Sequence, residues 1–167
     1  MTTTHAITPA PKSAYTAILT YLSISALVYV LMMVLGLLMR LEQAGWLGIG
    51  ANLFYQIMTA HGAGMVGISG LAGSAVMWYF LRRHVELTLG ILWANLAFFL
   101  TGVVLILGGI FVGGYAGGWT FLFPLPSHGL GAWGTAGAAS FLIGLLLIGV
   151  GFLLLYLDVA RAIMSRY

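Results

Sequence analysis

The sequence predicts an all-α membrane protein, a four-transmembrane-helix bundle with both termini cytoplasmic. Three observations carry that reading. Of 167 residues, 62% are apolar and only 5% charged, against about a quarter charged in an average soluble domain. The nine charged residues (Lys12, Arg40, Glu42, Arg82, Arg83, Glu86, Asp158, Arg161 and Arg166) bracket apolar stretches long enough to cross a bilayer, which takes about 20 residues of helix. Those stretches are near-continuous rather than alternating segments of ~10 residues, which favours helices over a barrel. A soluble globular fold is excluded. The pI near 9.5 does not indicate nucleic-acid binding, because six scattered cations form no basic patch. Cysteine is absent, so disulfides, iron–sulfur clusters, zinc thiolates and cysteine nucleophiles are excluded as well.

Taken in order, residues 1–13 form a polar N-terminal tail and 14–167 a single transmembrane domain. The first span is expected from about Tyr15 to Leu38, ending at Arg40-Leu-Glu-Gln-Ala-Gly45. It is too long for a signal-peptide core, and no small-residue cleavage site follows it. The second runs from near Leu53 to about Leu81, where Arg82-Arg83-His84 stops it. The third covers roughly Leu87 to Phe111 and the fourth roughly Gly137 to Leu157. Lys12, Arg82, Arg83, Arg161 and Arg166 fall on one side and Arg40 alone on the other. The bias of basic residues toward the cytoplasm places both termini and the 82–86 turn inside. The outer segment 113–136 has no charge, yet holds Trp119, Trp133, Pro124 and Pro126. It is expected to lie as a lid on the membrane surface or under a partner.

His61 is the most informative residue. It lies about eight residues into the second span, roughly 12 Å down at 1.5 Å per residue. Ionisable groups at such depth are costly and face a partner in the bundle interior. A neutral imidazole can ligate haem iron, and Ala60, Gly62, Ala63 and Gly64 leave room for a flat macrocycle beside the helix. The alternative is a histidine hydrogen-bonded to a neighbouring helix, with the small residues serving close packing. Gly62-Ala-Gly64-Met-Val-Gly67 matches the dinucleotide fingerprint by letter only, since that motif follows a strand and opens to pyrophosphate. Arg40 has three open roles: pairing with an anionic group such as a haem propionate, pairing with Glu42, or reaching lipid phosphate. Asp158 and Arg161 suit an i,i+3 pair. His84 reads as a solvated interfacial group, and His128 as a loop residue that could approach a cofactor edge.

Residues Gly36-Leu-Leu-Met-Arg40-Leu-Glu42-Gln-Ala-Gly45 and Phe54-Tyr-Gln-Ile-Met-Thr59-Ala-His61-Gly resemble the opening of haem-copper oxidase subunit I. That family carries Arg-x-Glu-(x)2-Gly at the outer end of its first helix and Thr-Ala-His on its second. Gly117-Gly118-Trp119-Thr120-Phe-Leu-Phe-Pro124-Leu resembles its outer segment between the third and fourth helices, and Trp93-Ala-Asn95-Leu echoes its third helix. The resemblance covers about residues 15–160, corresponding to the first four helices of such a subunit. It implies that His61 is an axial ligand of a low-spin haem, with Arg40 at the haem periphery and Trp119 near its propionates. Gly64 is placed on the cofactor side by the small-residue reading of the helix beside His61, not by the resemblance. Phe54 departs from the tyrosine often found seven residues before that ligand. The short Arg82-Arg83-His84-Val-Glu86 turn replaces the family's acidic loop. No copper or high-spin haem ligands are expected, so these residues alone are not expected to form a self-sufficient oxidase.

The leading expectation is therefore an electron-transfer protein of the respiratory chain, multi-pass in a prokaryotic inner or plasma membrane. It would hold b-type low-spin haem and no copper. The second axial ligand would come from a homodimer mate or a partner membrane subunit, and electrons from a donor or acceptor protein or a quinone. Two alternatives stand beside it: a fragment of a split terminal oxidase working with a second chain, and a non-haem structural or assembly subunit.

Overall fold

The computed structural model describes residues 12–118 and 133–166. Four helices long and apolar enough to cross a membrane account for most of them. They are α1 (Lys12–Gln43), α2 (Ala51–Leu81), α3 (Leu89–Leu107) and α4 (Thr135–Met164), with a π-helical turn at Gly108–Val112 continuing α3. At 1.5 Å per residue, α1, α2 and α4 are each about 45–48 Å long, beyond the ~30 Å hydrocarbon thickness. Their ends therefore carry the polar residues into the headgroup zone.

The helices outrun their apolar stretches because nothing breaks them there. Helix α1 continues past Leu38 through Arg40 and Glu42 and stops only where Gly45 adopts a left-handed conformation, φ 75°. The Gly45 N–H donates to Glu42 O and the Trp46 N–H to Leu41 O, the paired bonds of a Schellman cap. At the C-terminal end of α3 the ladder widens, with the Gly113 N–H donating to Gly108 O at 2.8 Å. Such five-residue steps are rare and occur mostly as single-turn insertions inside helices. Periodicity of hydrophobic residues gives no warning of them, and the expected third span was continuous α-helix.

The chain forms two tight hairpins, α1–α2 and α3–α4. Glycines set the second. A Cβ on Gly144 would lie 2.6 Å from Gly102 O, and one on Gly137 2.5 Å from Gly113 O. Only hydrogen allows the two backbones to approach so closely, which in lipid is a principal source of helix attraction. Between hairpins the fit is ring into notch: Phe99 of α3 sits at Gly67, and Phe152 of α4 at Gly70. These two rings meet edge to face, 6.2 Å apart. Tyr21 of α1 adds a polar tie, its hydroxyl 2.5 Å from Leu92 O and 2.7 Å from Asn95 Oδ1 on α3. One hydroxyl proton cannot serve two acceptors, and Asn95 Nδ2 lacks a partner. Turning the Asn95 amide over resolves both: Tyr21 donates to Leu92 O and accepts from Asn95.

The expected charge asymmetry is visible as geometry. Arg166 donates to His84 O, and Asp158 accepts from the Thr88 N–H at 2.8 Å and the Thr88 hydroxyl at 2.9 Å. The end of α4 and the 82–88 turn thus share one end of the bundle, opposite Arg40. Asp158 is 3% exposed and pairs with Arg161 at 2.7 Å, as the i,i+3 spacing predicts. Its additional role, closing the start of α3, depends on a residue 70 positions away. Many apolar residues of α1 are exposed, among them Leu27, Val30, Val34 and Leu37, as suits lipid contact.

Candidate haem-ligand site

His61 sits ten residues into α2, about 15 Å from its start at 1.5 Å per residue, and is partly buried. Its Nδ1 lies 2.8 Å from Met32 O on α1. A carbonyl oxygen only accepts, so Nδ1 carries the proton and donates. Nε2 is then the atom with a free lone pair. A metal-ligating histidine commonly donates its other ring N–H in this way, which fixes the tautomer and raises ligand basicity. This donor chemistry fits haem iron: His61 would hold it through Nε2. Among the described residues no three histidine, cysteine, aspartate or glutamate side chains converge as a protein-only metal site would.

The floor of the site is a stripe of α1 at four-residue spacing: Met32, Gly36 and Arg40. A Cβ on Gly36 would stand 3.0 Å from His61 Cε1, so the imidazole lies directly on bare backbone. One turn beyond Gly36 along α1, Arg40 is exposed and donates to Gln43 Oε1 at 2.8 Å. Glu42 does not pair with it. Its Oε2 instead accepts from the Ile49 N–H at 3.1 Å, bracing the loop into α2. Of the three roles open to Arg40, pairing with Glu42 is thereby removed.

Gly64, expected on the cofactor side, has a packing partner. A Cβ there would meet Met32 Sδ at 2.2 Å, so the Met32 side chain fills the notch while its carbonyl holds His61. Gly62, Gly64 and Gly67 all lie inside α2, with Gly67 against Phe99. A pyrophosphate loop is thus excluded, as the sequence argument holds.

The segment after the π-helical turn is fastened to α2 beside His61. Gln56 Nε2 donates to Ile110 O at 2.9 Å, a carbonyl within that turn. The Thr59 hydroxyl lies 2.7 Å from Gly117 O and 2.9 Å from Tyr55 O. Tyr115 is buried against Phe141, ring centroids 4.5 Å apart, and Trp133 meets it edge on at 5.4 Å. Burial pushes the Tyr115 hydroxyl above its ordinary range, so it stays neutral. Trp119 and His128 lie outside the described residues, as does His5. His84 is exposed, in keeping with a solvated interfacial position.

Sequence reasoning missed Met32, Gly36 and Gln56. Gly36 carried a usable signal, a glycine four residues before the arginine on the same helical face. Met32 acts through its carbonyl, which every residue possesses, so no residue-type signal could identify it.

Searches of curated proteins and of solved structures gave no match. A family model described as Cytochrome C and Quinol oxidase polypeptide I matches residues 16–167. The match runs from the second turn of α1 past the end of α4, reaching all four membrane-length helices and the Met32–His61 contact. The chain is an integral membrane protein that belongs to the Cytochrome C and Quinol oxidase polypeptide I family.

Proposed function

We propose that this chain is a haem-binding electron-transfer component of a respiratory oxidoreductase, with His61 as an axial ligand of a low-spin haem. The observation that carries the reading is the His61 Nδ1–Met32 O contact at 2.8 Å. It orients the imidazole, selects the tautomer and leaves Nε2 free to coordinate. A bound haem supplies one-electron redox chemistry. The chain's own residues hold the ligand ring on α1, keep it dry between apolar helices, and present Arg40 at the outer edge. We assign Arg40 to an anionic group there, with Trp119 nearby by resemblance. Gly64 contributes indirectly, by seating the Met32 side chain. Both termini face the cytoplasm in this proposal, since five of six basic residues lie at that end.

The second ligand would come from another chain, either a second copy of this one contributing its own His61 or a partner membrane subunit. With a histidine from each chain holding it, the haem would supply one-electron transfer rather than oxygen chemistry at this site. A C2 homodimer predicts one haem per two chains. A partner subunit predicts co-purification of a second membrane protein bearing further histidines.

The test is a reduced-minus-oxidised absorption spectrum of detergent-purified protein beside its His61→Ala variant. A sharp low-spin α-band lost in the variant is expected. A folded, colourless wild-type protein, purified from haem-replete cells with its co-purifying subunits, would overturn the proposal.

A further inference from the structure

We infer that Gly36 is a positioning residue for the His61 ring: by lacking a side chain it uncovers the Met32 carbonyl, and so decides which imidazole nitrogen is free. The inference rests on the reading of His61 as a haem ligand for its functional consequence, but not for its structural content. Side chains on an α-helix lean toward the N-terminus, so each covers the turn preceding its own Cα. A side chain at position 36 would therefore lie over the turn that holds Met32. Its absence leaves the Met32 oxygen open to a donor from outside α1, and His61 Nδ1 is that donor at 2.8 Å.

The ring has little room to manoeuvre. An added Cβ at Gly36 would meet Cε1 at 3.0 Å and both ring nitrogens at 3.6 Å, which places the imidazole edge squarely over the glycine. Met32 holds the other side of the arrangement. It is 3% exposed, its sulfur occupies the Gly64 notch, and this locks the α1–α2 register that brings the carbonyl opposite Nδ1. Gly36 thus serves the ring, while Gly64 serves the register. Any side chain at 36 moves the imidazole away from its only described acceptor and removes the bias toward the Nδ1–H tautomer.

The experiment compares wild type, Gly36→Ala and Gly36→Val in the purified full chain, labelled with 15N-histidine. In haem-free protein, at a pH where imidazole is neutral, the His61 signals are assigned by their loss in His61→Ala. Wild type is expected as the Nδ1–H tautomer, Gly36→Ala as a mixture, and Gly36→Val as predominantly Nε2–H. In haem-loaded protein the substitutions should raise the reduction potential, because the ligand is no longer made more basic by its carbonyl partner. They should also weaken haem retention, on the order of tenfold to a hundredfold by analogy with other losses of such partners. Gly36→Ala keeps the test decisive where the larger substitution fails to fold. Wild-type tautomer and potential in either folded variant would overturn the inference. A low-spin band that survives in His61→Ala would overturn the ligand proposal instead, while the tautomer result would still stand or fall by itself.

Discussion

Replacing Gly144 by alanine should separate α3 from α4, whereas the same replacement at Gly149, five residues on in the same helix, should not. The built Cβ at 144 lies 2.6 Å from Gly102 O, 2.8 Å from Ile106 Cγ1 and 3.0 Å from the Ile106 nitrogen. Two of those three atoms are backbone and cannot rotate aside. Restoring ordinary contact at about 3.4 Å needs the helices to move apart by roughly 0.8 Å, within a seam that interdigitates along much of its length. Forcing an extra methyl into a filled interface costs about 1–3 kcal/mol. Gly149 has nothing within 4 Å of its built Cβ, so alanine there brings only the helix-propensity gain, up to about 1 kcal/mol. That gain applies at both sites and cancels in the comparison. Gly144→Ala should therefore be less stable than Gly149→Ala by about 1–3 kcal/mol. Denaturation of both variants in mixed detergent micelles measures the difference. If Gly144→Ala is as stable as Gly149→Ala, the close approach of the two backbones is not what holds the hairpin.

Asp158→Ala should cost about 3 kcal/mol, from two lost bonds of a charged acceptor to Thr88 at about 1.5 kcal/mol each. The Arg161 pair adds little, since that guanidinium is largely exposed. Arg161→Ala should accordingly be far milder in the same denaturation assay. Tyr21→Phe should cost about 1 kcal/mol, because hydrogen bonds between membrane helices average about 0.6 and reach about 1.7 kcal/mol, and Asn95 would lose a partner in the core. A null effect would show that the α1–α3 tie is dispensable. Thr59→Val should free the segment at Gly117 without unfolding the bundle. Faster amide hydrogen exchange confined to residues near 113–118 would report it, and unchanged exchange there would refute the anchor.

How far the fold was legible in the sequence can be seen element by element. Four spans, their order and the clustering of Lys12, Arg82, Arg83, Arg161 and Arg166 at one end follow from where apolar runs stop, because lipid tolerates neither charge nor unpaired backbone. The boundaries at Arg40 and Met164 were less legible, since a helix can extend into the headgroup zone until a residue such as Gly45 ends it. The π-helical turn at Gly108–Val112 was hidden, as it follows from how Gly109 and Gly113 meet Gly137 and not from any local preference.

For the site, the placement of His61 on the second helix was legible in the sequence alone, as were the rejection of the glycine fingerprint and the Asp158–Arg161 pair. These rest on local spacing and on the cost of a polar group in hydrocarbon. Only the tertiary structure decided that His61 donates to the Met32 carbonyl, that Gly36 rather than Gly64 seats the ring, and that Glu42 braces Ile49 instead of Arg40. Each of those outcomes depends on the register of α1 against α2 or on a loop's return path. Register is set by the sum of many side-chain contacts across two helices, and a shift of one residue, about 1.5 Å, would give His61 a different neighbour.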